Sequence, residues 1–271
     1  MTLAIHLLVN AGKGIFSGMG AFKDFKMSVG TAKEITDLLD AVAIQPGFTV
    51  HIADKIEVEN ADLLFGSEQE DSPIVQKLTW APKQGSRWFL SGPNGCGKTS
   101  LIRAVAGLHD FSTDFVRPKL SKLRFLPQDA LIIETETVEA NVAYGCSTKP
   151  SKEKIIQSLT AMYGSDFGGK IDLDTVCSSL SGGEKQRLAL ARMLSSIDDD
   201  TLYIFLDEPV SALPSGDRHG LFKTFLSLVP KNCSVVTVSH DKDIESHCNA
   251  FIHFRSEGSA KGQRFVPQIA D

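Results

Sequence analysis

An α/β fold on a mostly parallel sheet, covered by helices on both faces, is what this 271-residue sequence predicts. Two observations carry that prediction. From about residue 87 to 240, short apolar runs alternate with segments of helical spacing, the pattern of strands joined by helical crossovers. The glycine-rich stretch GPNGCGKT, Gly92 to Thr99, lies between one such run and one such helix, where strand-to-helix loops cradle anions. A hydrophobic fraction of 42% suffices for a sizeable core, as one large domain or two unequal lobes.

Taken in order, residues 29 to 44 place Val29, Ala32, Ile35, Leu39 and Val42 at the spacing of an amphipathic helix, which Pro46 and Gly47 end. From about residue 50 the β-like runs KIEVENADLLF, IVQKLTW and SRWFLSG follow closely on one another and predict an N-terminal antiparallel β subdomain. Beyond the glycine loop, LIRAVAGL reads as helix, LRFLPQ as strand, EKQRLALARML as helix, TLYIFLDEP as strand, HGLFKTFLSLV as helix and CSVVTVSH as strand. Residues 129 to 180 lack strong strand signals, so a helical subdomain of about 129–195 is expected between two sheet strands. No internal repeat or low-complexity tract is present.

A net charge of -5 and a pI near 5.8 give no overall electrostatic reason to bind nucleic acid. Five scattered cysteines with no C-x-x-C pair argue against zinc or a redox centre and for a reducing compartment. Lys13 and several glycines interrupt the apolar opening, so no spanning helix is expected, and no basic residue precedes LAIHLLV to make a signal peptide.

The stretch Gly92 to Thr99 matches G-x-x-x-x-G-K-[ST]. Glycines let successive backbone N–H groups curl around phosphate oxygens, and the following helix N-terminus adds positive potential. The whole stretch Gly92, Pro93, Asn94, Gly95, Cys96, Gly97, Lys98, Thr99 and Ser100 is expected to hold a nucleoside triphosphate. Lys98 would reach the β and γ phosphates and the Thr99 hydroxyl would ligate Mg²⁺. Cys96 needs only to be small there. The apolar run YIFLDEP ends in two carboxylates: Asp207 at a strand end could hold the metal through water, and Glu208 could orient or deprotonate the attacking water. Alone, that ending would read as an exposed turn; beside the glycine loop it reads as catalytic. A second anion cradle, SSLSGGEKQR, is the puzzle, since one phosphate-binding loop already exists.

GPNGCGKTS, the glutamine of FLPQD (Gln128), LSGGEKQR, FLDEP and the histidine of TVSH (His240) stand in the order and approximate spacing of the nucleotide-binding domain of ATP-binding cassette (ABC) proteins, which residues 50 to 256 resemble. The resemblance implies the P-loop ABC ATPase fold, ATP and Mg²⁺ as ligands, and residues 50–271 as the nucleotide-binding domain. It also explains the second cradle. Ser181, Gly182 and Gly183 of one copy would close over ATP held by Lys98 of another, in a head-to-tail dimer with two ATP between the chains; without the family, Ser181 reads as a helix N-cap. Gln128 then resembles the loop residue that touches Mg²⁺ and the attacking water and senses a membrane partner. His240 resembles the histidine that contacts the γ-phosphate. The adenine partner implied is an aromatic upstream of the loop; Phe65 matches best, with Trp80 the competitor that more naturally packs in the β subdomain. Where the family commonly has an aspartate that helps link the two sites, this chain has Pro214.

Two functions compete under the resemblance: the motor of a membrane transporter, and a soluble ABC ATPase acting on a nucleic-acid or ribosomal assembly. Neither long insertions nor duplicated cassettes of the second kind are present. Residues 1–49 look like the linker from a preceding membrane domain in exporter-type transporters; the alternative is a plain helical extension. The partners implied are a second nucleotide-binding domain and a transmembrane domain, in the same chain or a separate subunit, with the motor membrane-associated on the cytosolic face. Within the family, the glycine-loop region, the RP before LRFLPQ and LSGGEKQRLALARML resemble the peroxisomal fatty-acyl transporters and their bacterial relatives.

Overall fold

The computed structural model describes residues 49–63, 75–106, 111–146, 148–257 and 264–270. The expected helix at 29–44 and Phe65 lie outside the described residues.

The strands most apolar in sequence occupy the middle of the sheet. Strands β7 (Tyr203–Asp207) and β8 (Ser234–Val238) are buried at every residue, as unbroken apolar runs must be when helices cover both faces. With β4 (Arg87–Ser91), β6 (Leu123–Leu126) and β9 (Ala250–Glu257) they form a parallel set in the order β9-β4-β8-β7-β6. Between them run α1 (Lys98–Val105), α4 (Gly182–Ser196), α5 (Ser215–Leu228) and the short α6 (Lys242–Glu245). The parallel core is thus as the sequence predicts.

The antiparallel part differs in how it is assembled. Strands β2 (Glu57–Leu63) and β3 (Val75–Trp80) pair antiparallel. They are joined by β5 (Phe115–Arg117), which arrives after α1 and pairs antiparallel with β2 and parallel with β1 (Val50–Ile52). The C-terminal strand β10 (Arg264–Ala270) lies antiparallel to β9 and meets β3 in parallel at Phe265 and Val75. The result is one ten-stranded sheet, β1-β5-β2-β3-β10-β9-β4-β8-β7-β6, rather than a purely N-terminal subdomain.

Two cores pack on this frame. One joins β3, β4 and β5 to α1 through Trp80, Trp88, Phe115 and Leu101; Trp80 meets Trp88 edge to face, ring centroids 5.8 Å apart. Trp80 is therefore a core residue. The other core holds α2 (Val138–Ala143), α3 (Lys152–Tyr163) and α4 against α5 and the sheet. Among the described residues no regular strand intervenes between β6 and β7, in keeping with a helical insertion. The insertion is tied to α4 by Asn141, fully buried. Its Nδ2 donates to Ile133 O and Thr137 O, while its Oδ1 accepts from Ile133 N and from Arg192 Nη2. Among the described residues no helix is long and apolar enough to cross a membrane.

Candidate active site

Register decides where the chemistry gathers. Leu90 of β4 and Asp207 of β7 both lie opposite Val238 of β8. The carboxyl ends of three neighbouring strands therefore stop at one edge, where ligands bind in open α/β sheets. The glycine loop leaves β4, the carboxylates leave β7, and Ser239 and His240 leave β8 at that edge.

Gly92 turns the chain with φ 146°, and a Cβ there would stand 2.9 Å from Phe254 O, Phe254 Cβ and Cys96 Sγ, so only glycine fits. Gly97, at φ 98°, caps α1. Lys98 opens that helix, buried, and its ammonium donates to Gly92 O (2.9 Å) and Pro93 O (3.0 Å). Its third partner is Cys96 Sγ at 3.8 Å, a thiol that burial pushes up, so none of the three carries a negative charge and the ammonium's charge remains for an anion. The Thr99 hydroxyl donates to Asp207 Oδ2 at 2.8 Å. Asp207 is 3% exposed, and burial pushes its carboxyl above the usual range, opposed by the Thr99 bond. Among the described residues no group of three or more His, Cys, Asp or Glu side chains is placed to hold a metal ion. A hydroxyl and one buried carboxylate instead suit a Mg²⁺ that takes its remaining ligands from phosphate oxygens and water.

Glu208 follows in a backbone conformation rare for a side-chain-bearing residue, φ 50°, held by its N–H donating to Val238 O (2.9 Å). Its Oε2 accepts from Ser239 Oγ at 3.3 Å; its Oε1 is buried without a hydrogen-bond partner, and His240 Nε2 stands 3.9 Å from it, too far for one. Burial raises the Glu208 carboxyl, with His240 and Ser239 opposing and the Asp207 charge adding to the rise. A carboxylate oxygen buried without a hydrogen-bond partner, on a residue that lines a cavity and with a raised pKa, suits a base. The cavity, about 640 Å³, is lined by Asn94, Gly95, Lys98, Thr99, Asp207, Glu208, Gln128 and His240, among others.

Ser181, Gly182 and Gly183 are not among its lining residues; Gly182 borders an adjoining cavity that shares Gln128 and Glu208. Ser181 caps α4 in a reciprocal box with Glu184: Ser181 N and Oγ each donate to Glu184 Oε2 at 2.7 Å, and Glu184 N donates to Ser181 Oγ. Lys170 pairs with the same carboxylate, and these donors hold the Glu184 carboxyl down at about 2. A depressed carboxyl stabilises the fold above its unfolded pKa and loses that contribution as pH falls through the folded value. The melting-temperature difference between the parent and Glu184→Gln should be full at pH 6, shrink below about 4.5 and vanish near 2.

Sequence reasoning missed the supporting side chains. Gln186 Nε2 donates to Glu208 O (3.0 Å) while its Oε1 accepts from Ala212 N (2.8 Å), fastening α4 to the loop after Glu208. Ser239 directly precedes His240 in TVSH, but nothing local marks it as a partner of Glu208. Pro214 stands before α5 and provides no side-chain cap.

A lysine-bearing glycine loop opening a helix at the edge of a parallel sheet, beside acidic residues from a nearby strand end, defines a P-loop nucleoside triphosphatase. Residues 75–211 match the family model described as ABC transporter, and the chain belongs to that family as an ATP-binding, ATP-hydrolysing domain. It is 33% identical over 209 residues to the sulfate/thiosulfate import ATP-binding protein CysA of Mannheimia succiniciproducens, covering 69% of this chain and 55% of that protein. It is 26% identical over 277 residues to the ATP-dependent permease MDL1 of Candida albicans, covering 92% of this chain and 39% of that protein. A bacterial Atm1-family ABC exporter with ATP bound shares the fold, with a TM-score of 0.67 at 22% identity, covering 84% of this chain and 43% of that one. The chain thus spans about half the length, or less, of these curated relatives.

Proposed function

We propose that this chain is the motor of an exporter-type ABC transporter, closing head to tail with a second nucleotide-binding domain around two ATP. The observation that carries the reading is the gathering of Lys98, Thr99, Gln128, Asp207, Glu208 and His240 about one cavity. Lys98 and the backbone N–H groups of the glycine loop bind the β and γ phosphates, while Phe65 stacks on adenine. Thr99, Asp207 and Gln128 would hold Mg²⁺, which would supply neutralisation of the phosphate charge. Glu208 orients a water for in-line attack on the γ-phosphorus and its carboxylate takes the water's proton as the bond to the leaving ADP oxygen breaks. His240, which lines the same cavity, contacts the γ-phosphate. Ser181, Gly182 and Gly183 of the second domain cover the outward phosphate oxygens.

The exporter type is supported by the permease match, whose 92% coverage reaches into the residues before 49. The same proposal makes residues 1–49 the linker from a transmembrane domain, and sets the motor on the cytosolic face of a membrane. The motif resemblance to the peroxisomal fatty-acyl transporters and their bacterial relatives is the subfamily we propose. Action on a nucleic-acid or ribosomal assembly is not favoured, since the relatives carry transport names.

Gly182→Trp tests the dimer directly. Gly182 is exposed at its helix start and a Cβ there meets nothing within 4 Å, so a larger side chain leaves the backbone toward open space in the single chain. Turnover should fall about a hundredfold or more with the loss of one transition-state cradle, while ATP binding and melting temperature stay near parental. Parental turnover by this variant would refute the shared site.

A further inference from the structure

We infer that Arg218 is a positioning residue that fixes His240 against Glu208. The inference rests on the proposed hydrolytic site and adds a residue to it. Arg218 lies in the first turn of α5 and lines the cavity. Its guanidinium makes three different bonds: Nε donates to Leu213 O (2.9 Å), Nη2 to Ser211 O (3.1 Å) and Nη1 to Asp241 Oδ2 (3.2 Å). The first two hold the loop that follows Glu208. The third holds the residue after His240.

The rest of the circuit is also hydrogen-bonded. Asp241 N donates to Ser239 Oγ (3.1 Å), and Ser239 Oγ donates to Glu208 Oε2 (3.3 Å). On the other side Ser211 Oγ donates to Glu208 O (3.2 Å). Glu208, Ser211, Arg218, Asp241 and Ser239 therefore form a closed ring, and His240 is carried on it between Ser239 and Asp241. The His240 side chain is 57% exposed and too far from Glu208 for a hydrogen bond, so its place is set through its neighbours.

Arg218 is the member of the ring that bridges the two loops from outside the catalytic pair. Gln186 gives the loop after Glu208 a second support from α4. On the His240 side Asp241 is also held as the cap of α6, its Oδ1 accepting from Asp243 N (2.9 Å). Removing Arg218 therefore cuts the tie between Asp241 and the Ser211–Leu213 loop, and none of its three bonds involves Lys98 or Thr99. A fork of three donors can span two carbonyls and a carboxylate; a lysine ammonium reaches fewer of them.

The test is steady-state ATPase on the full chain, with ATP affinity measured separately by a fluorescent ATP analogue and Mg²⁺. Arg218→Ala should lower kcat about 10- to 100-fold, the size of effect a displaced catalytic group produces, with the nucleotide Kd within about twofold. Arg218→Lys should fall between the two. Parental kcat in Arg218→Ala, or a loss of affinity as large as the loss of kcat, overturns the inference. If Arg218→Ala does not fold, Arg218→Lys and Asp241→Asn decide: lowered kcat at unchanged Kd in both supports it, and parental kcat in either overturns it. Glu208→Gln runs alongside. Continued turnover by that variant defeats the hydrolytic reading itself, whereas an inert Glu208→Gln beside a fully active Arg218→Ala defeats only the role given to Arg218.

Discussion

Glu208→Gln should reduce ATP turnover at least a hundredfold to ten-thousandfold, the contribution of a positioned general base, while leaving ATP binding intact and accumulating an ATP-bound dimer. The expectation follows from what the substitution changes and what it spares. Glutamine keeps the length of the side chain and an oxygen to accept from Ser239, and the backbone bond from residue 208 to Val238 O is untouched. The proton-accepting capacity of the buried Oε1 is lost. Because burial raises the Glu208 carboxyl, its ionised form costs stability at neutral pH in the nucleotide-free fold. A carboxyl raised in the folded state stabilises only below its unfolded pKa and loses that contribution as pH rises through the folded one. The glutamine variant should therefore melt slightly higher than the parent at pH 7 and converge with it in acid. Single-turnover ATPase and size-exclusion chromatography with ATP check the main claim; a variant that hydrolyses at the parental rate removes Glu208 from the mechanism.

Gly92→Ala should be the most damaging single-methyl change in the phosphate loop. The new Cβ would sit 2.9 Å from the Phe254 backbone oxygen, which belongs to β9 and cannot swing aside as a flexible side chain could. The φ of 146° adds backbone strain for any other residue. Together, overpacking and strain amount to about 2–5 kcal/mol, enough to displace the carbonyl that holds Lys98 and abolish ATP binding. Gly95→Ala is the control. Its φ is 75° but a Cβ there meets nothing within 4 Å, so only strain of about 1–2 kcal/mol applies. Denaturant unfolding of both variants separates the two terms, and equal destabilisation would show that contact with β9 does not limit residue 92.

What could be read from the sequence divides along physical lines. Strands β7 and β8 are buried on both faces, so their apolar runs are continuous and easily seen. Helix α4 carries its own capping box, a local signal. Strand β5 has three residues, too few for alternation to register. In β10, Pro267 argues against a strand because it cannot donate to a ladder. It is tolerated opposite Phe254, away from the β3 pairing at Phe265. Lys98 and Thr99 stand in a local glycine-loop pattern, Asp207 and Glu208 read as site residues only beside that loop, and His240 only through the family resemblance. The supports were not legible: Gln186 reaches 22 residues to Glu208 O, and Arg218 reaches 23 to Asp241. Such bonds depend on which elements become neighbours, which no short stretch encodes.

The place of β10 bears on how the chain matures during synthesis. Strands β1, β5, β2 and β3 connect to the nucleotide-binding strands through this element, made after all of them. A nascent chain lacking residues 264–270 would carry two unjoined sheet fragments, each with an open edge exposed to other nascent chains. Sealing that seam is a late, long-range event, and a ribosome pausing shortly before it would leave the polypeptide at its most vulnerable to misassembly.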